Sequence, residues 1–135
     1  MPGADRPPSQ RLRAFQRVKR NRDFGAVREH GRRTDCGAFL LVWCARPADT
    51  ATAPARVGVV ASRAAIGNAI ARARAKRRLR EVFRQHQALV PAGLDLILTA
   101  RPALLRMEFA EVAQRFAQAC RKLAPPAAQP PSSHA

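Results

Sequence analysis

The apolar positions along this chain change period several times, and each change marks an element. From 38 to 45 they run without a break as Ala38-Phe39-Leu40-Leu41-Val42-Trp43-Cys44-Ala45, stopping before Pro47. A short run of this kind, partly β-branched or aromatic and ended by proline, predicts a strand buried on at least one face. Pro47, Asp49, Thr50 and Pro54 then predict a loop. The valines of Arg56-Val57-Gly58-Val59-Val60-Ala61-Ser62 predict a second strand, and Leu94-Asp95-Leu96-Ile97-Leu98-Thr99-Ala100 a third. Pro91 and Gly93 precede that third strand and Pro102 ends it. A shorter strand over 34–36 is expected before the first.

Elsewhere the period is helical. Phe109, Val112, Phe116, Ala119, Cys120 and Leu123 recur on one side, with Glu108, Glu111, Gln114, Arg115 and Gln118 mostly on the other. That is an amphipathic helix laid on a sheet. Near the start, Asn21 can cap a helix whose first turn holds Asp23 and whose last holds Arg28 and His30, with Gly31 beyond. Phe24 and Val27 share its face, so 22–30 is a short helix. Between the second and third strands lies a helix capped by Asn68. Ala71, Ala75, Leu79, Val82 and Phe83 fall roughly on one side of it. Ile70 lies nearly opposite Leu79 and is expected to pack locally at the helix entry. The order of helix, strands, helix, strand, helix predicts an α+β fold, a small sheet with helices mainly on one face. The proline-bearing ends, 1–10 and 124–135, have little to bury and are expected to be disordered flanks. One folded domain remains over 11–123. No internal repeat is seen.

Charge changes the picture. The chain carries 25 Lys and Arg against 9 Asp and Glu, a formal net charge of +16. Such a balance favours a polyanionic partner. No apolar run approaches the ~18 residues of a membrane span, and the N-terminus lacks the apolar stretch of a secretory signal, so the cytoplasm is the expected compartment. Much of the charge sits in the helix before the third strand: Arg72, Arg74, Lys76, Arg77, Arg78, Arg80 and Arg84, with Glu81 as the sole acid over 66–84. Like charges three or four apart repel by a few tenths of a kcal/mol per pair, about 0.2–0.5. A merely solvated face would normally interleave glutamates. Arginine suits bidentate phosphate contact, so phosphate binding is the favoured reading.

Other chemistry is sparse. Cys36, Cys44 and Cys120 are odd in number and widely spaced, which predicts reduced, mostly buried thiols rather than disulfides or zinc ligands. His30, His86 and His134 are scattered, and Ser62 lacks a glycine-flanked nucleophile turn. Neither a catalytic residue nor a metal ligand is assigned. Phe24, Phe39, Leu41 and Trp43 could stack on unpaired bases, although such aromatics are more often core. A structural ribosomal RNA-binding protein suits the composition. A DNA-binding regulator does not, for want of helix-turn-helix spacing.

The stretch RVGVVASRAAIGNAIARARAKRRLREVFR, followed by GLDLILTARP and preceded by RVKRNRDFGAVREHG, resembles the protein subunit of bacterial ribonuclease P. The likeness runs in one order from about Leu12 to Leu123. It implies a two-layer domain of order αβββαβα with a left-handed βαβ crossover (ribosomal protein S5 domain 2-like). It also implies that the chain binds a catalytic RNA and the 5′ leader of precursor tRNA. The RNA would perform the cleavage with magnesium ions. By position, Arg72, Arg74, Lys76, Arg77 and Arg80 would contact the RNA subunit. Phe24, with Phe39, Leu41 or Trp43, would line the leader cleft, with Arg63 at its edge. Three positions depart from the family pattern: Ala73 where it has asparagine, Ala64 in place of a second basic residue after Ser62, and Arg28 where an aromatic is frequent.

Overall fold

A computed structural model describes residues 31–46 and 53–123. Four strands form one sheet: β1 (Arg32–Asp35), β2 (Phe39–Ala45), β3 (Arg56–Val60) and β4 (Leu94–Ala100), in spatial order β1-β2-β4-β3. β1 runs antiparallel to β2 and β2 to β4, while β3 and β4 are parallel. Parallel neighbours need a crossover. Here it holds a short helix, α1 (Arg63–Ile66), and the long α2 (Ala69–His86). A final helix, α3 (Phe109–Cys120), follows a 3₁₀ turn over Pro102–Leu105. The expected order and α+β class are thus present, with the 22–30 helix outside the described residues.

Register separates the two sheet faces. Phe39, Leu41 and Trp43 stand opposite Ala100, Leu98 and Leu96, which in turn neighbour Val59 and Val57. These residues join one core with Leu79, Val82 and Phe83 of α2 and Val112 and Phe116 of α3. Both helices therefore cover the same face. Phe116 is its hub, with ring centroids 6.2 Å from Phe39 and 6.3 Å from Phe83. Fully burying a side chain of this size contributes about 1.5–3 kcal/mol. The alternate positions Leu40, Val42 and Cys44 face the other side, opposite Thr99, Ile97 and Asp95.

Two local features set α2 in place. Gly67 sits between α1 and α2 at φ +116°, a conformation that side chains resist. Asn68 then caps α2, its side-chain oxygen accepting the Ala71 N–H at 2.9 Å. Ser62, read as the end of a strand, instead caps α1 by accepting the Ala65 N–H.

Candidate nucleic-acid interface

α2 buries Ala75, Leu79, Val82 and Phe83 against the sheet. Helical geometry then turns Arg74 and Arg77 outward, and both are exposed. Arg72, Lys76 and Arg80 follow one another at i+4 along a flank and are half-buried. Good helix formers (Ala, Arg, Lys, Leu) keep the segment helical despite its repulsion. No acid stands in its first turn, so Arg72 and Arg74 add positive charge near the end of α2 where the dipole is already positive. Glu81 is taken up locally. It pairs with Arg84, with Nε at 2.9 Å, and accepts from Gln85. Those hydrogen bonds hold its carboxyl down to about 2. Among the described residues, no carboxylate pairs with Arg72, Arg74, Lys76 or Arg77. The Arg72 Nε is buried without an acceptor.

Arg78 differs from its neighbours. It lies on the opposite flank, where Nη1 donates to the carbonyls of Leu104 and of Met107, the latter at 2.8 Å. Its guanidinium also sits 5.9 Å from the centroid of the Phe109 ring. Arg78 therefore bolts α2 to the turn before α3. Nothing in the sequence distinguishes it from Arg74 except its angular place, about 80° around from Ile70 at 100° per residue.

The strand aromatics are placed against expectation. Phe39 and Leu41 are fully buried and Trp43 is 2% exposed, all on the helix-covered face. Trp43 is further shielded by Arg32, 5.6 Å from its ring centroid. None has a free surface on which a base could stack, which corrects the reading of these three as cleft-lining residues. Their bulk explains it, because the larger members of an apolar strand fill the layer between sheet and helices. Phe24 lies outside the described residues. Ile70 is also corrected: it is 76% exposed, because Ile66 of α1 takes the packing position at the helix entry.

The opposite sheet face has a different character. Val42 and Ile97 form its buried centre, with Leu40, Cys44 and Val60 half-buried around them. At one end, Asp95 receives two hydrogen bonds from Arg56 at 2.8 and 2.7 Å and lies 3.7 Å from Arg46. Beyond the other end, past Val60, the chain enters α1 at the exposed Arg63. This second set of residues escaped the sequence reading, because β2 is apolar at both parities. The available signal was in β4, whose polar Asp95 and Thr99 share parity with Ile97 while the other parity is all leucine and alanine.

Among the described residues, no cluster of His, Cys, Asp or Glu could hold a metal ion. Nor is any helix among them long and apolar enough to cross a membrane. The three cysteines are free thiols, Cys36 and Cys120 buried and Cys44 half-buried. Burial pushes Cys36 and Cys44 up to about 11 and Cys120 to about 12, so they are neutral at physiological pH.

Comparison with known proteins yields a consistent set. The family model Ribonuclease P matches residues 12–124. A ribonuclease P protein component of Thermobifida fusca is 37% identical over 123 residues, spanning 87% of this chain and 81% of the relative. The structure of a Staphylococcus aureus RNase P protein mutant with defective mRNA degradation activity matches at 26% identity and a TM-score of 0.68. The match covers 80% of this chain and 87% of that one. The RNase P protein from Thermotoga maritima shares the fold, with a TM-score of 0.69 at 23% identity, over 80% of this chain and 97% of its own.

Proposed function

Because the chain belongs to the ribonuclease P protein family, we propose that its two outer surfaces divide the work, α2 holding the catalytic RNA and the second sheet face the 5′ leader of precursor tRNA. As the protein component, it forms part of a ribonucleoprotein that processes tRNA. A ribosomal role, which composition alone allowed, is not favoured by that membership. Hydrolysis belongs in this reading to the RNA subunit, with magnesium ions held there. The observation that carries the assignment of α2 is its un-neutralised charge: Arg72, Arg74, Lys76 and Arg77 lack carboxylate partners among the described residues. Arg80 continues the flank of Arg72 and Lys76. Bringing these groups onto phosphates releases condensed counterions, a favourable term that weakens as salt rises.

The leader is assigned to the face around Val42 and Ile97. Leu40, Cys44 and Val60 offer apolar surface to unstacked bases, and Arg63 offers a charge to a phosphate at the edge. Phe24 is retained as a candidate on the leader. Phe39, Leu41 and Trp43 support that face from beneath.

Reconstitution tests the whole reading. Adding this protein to its cognate RNA subunit is expected to lower the magnesium needed to cleave precursor tRNA and to tighten binding of leader-bearing substrate. No change in either would refute it.

A further inference from the structure

Ile70 is out of keeping with a surface devoted to phosphates. It stands in the first turn of α2, 76% exposed, while Ile66 packs against the core. Ala73, three residues on, extends the same outward stripe and is also exposed. Arg74 follows Ile70, and Arg77 follows Ala73, by four residues on the same face, both exposed and without carboxylate partners among the described residues. The approach is open: a Cβ built on Gly67, one turn before Ile70, would meet nothing within 4 Å. The other large apolar side chain exposed among the described residues, Leu89 at 52%, is at the far end of α2 beside Ala117 and Arg121. It lacks this cationic frame.

A phosphate gains nothing from an isoleucine. An unpaired nucleotide does, because its base or ribose has an apolar face to cover while its phosphates need cations close by. From the exposed Ile70–Ala73 pair, with Arg74 and Arg77 one turn further along the same face, we infer that α2 seats one unstacked nucleotide of the catalytic RNA on Ile70. The inference rests on the reading of α2 as the RNA-subunit face and names what it recognises there. Ala73 fits the same role. It offers an exposed methyl group, which lengthens the apolar strip. Ile70 thus supplies the contact that does not depend on salt, and the arginines supply the part that does.

Titrating the catalytic RNA with the full chain over a range of salt concentrations separates the two contributions. Ile70→Ala is expected to weaken binding by about four- to fifteenfold at every salt concentration, the loss of one or two buried CH₂ equivalents. The slope of log affinity against log salt should stay unchanged. Arg74→Ala should reduce that slope. Ile70→Lys should also weaken binding, although it adds a cation. Ile70 is exposed, so melting temperatures should match that of the unaltered chain and exclude misfolding. Wild-type affinity for Ile70→Ala, or tighter binding with a steeper slope for Ile70→Lys, would overturn the inference and leave a plain phosphate track. If the unaltered chain shows no salt-dependent binding, the reading of α2 falls too, which distinguishes the two failures.

Discussion

Arg78 looks like one more RNA-binding arginine, but its contacts give it a structural task, and the difference can be measured. Replacing it with methionine keeps an apolar stem over Phe109 and removes the guanidinium. Two carbonyls, of Leu104 and Met107, then lose their donor in a partly buried joint. A hydrogen bond from a charged donor contributes about 1.5–3 kcal/mol, and a cation–ring contact about 0.5–1. Both donated bonds come from one nitrogen, and the side chain is half-exposed. A total of about 2–3 kcal/mol is therefore reasonable rather than the full sum. For a domain of this size that is a fall in melting temperature of about 8–12 °C. Thermal melts followed by circular dichroism would show it. Arg74→Met, at an exposed position, is the comparison. It should melt within about 2 °C of wild type yet lower the salt slope for RNA binding by about one phosphate equivalent. If Arg78→Met melts like the unaltered chain and loses RNA affinity instead, the bolt does not exist and Arg78 belongs with the RNA ligands.

Three other outcomes are expected. Asp95→Asn leaves Arg56 and Arg46 without their carboxylate in a largely buried site, and chemical denaturation should report a loss of about 3 kcal/mol or more. Leu40→Glu puts a negative charge on the proposed leader face without entering the main core. It should weaken binding of leader-bearing precursor tRNA more than that of leaderless tRNA, and equal losses would remove the leader from this face. The thiols bear on alkaline stability. Their folded pKa values, about 11, 11 and 12, stand above the ordinary 9.0, so the unfolded chain releases its protons first. Stability should therefore fall as pH rises above 9 toward 11, more steeply than in a triple Cys→Ala variant, as urea melts at a series of pH values can establish.

The elements were legible because punctuation and period agreed. Pro91 and Gly93 closed one segment and Asn68 opened another. β4 and α3 each showed one clean period. What stayed hidden depends on tertiary placement. β2 reads Phe-Leu-Leu-Val-Trp-Cys-Ala, apolar at both parities because both faces of the sheet are covered or half-covered. Nothing local says which parity meets the helices, so the aromatics drew the leader assignment and Leu40, Val42 and Cys44 did not. Ile70 reads as packing locally at the helix entry, and only the structure shows that Ile66 packs there against the core while Ile70 stays exposed. Arg78 and Arg74 are identical in type and four residues apart. Their roles separate because the carbonyls of Leu104 and Met107 stand on the flank of α2 that carries Arg78. The charge of α2 was fully legible, since it needs nothing beyond the count of acids near it.

The central claim is that α2 grips the catalytic RNA through arginines, Arg72 and Arg74 foremost, that pair with no carboxylate among the described residues. The most direct test is the salt dependence of affinity between this protein and its RNA subunit, compared with an Arg72→Ala/Arg74→Ala double variant. The slope of log affinity against log salt should shrink by about 1 to 2 units, one for each lost phosphate contact, with the melting temperature preserved. An unchanged slope would place α2 away from the RNA and contradict the account.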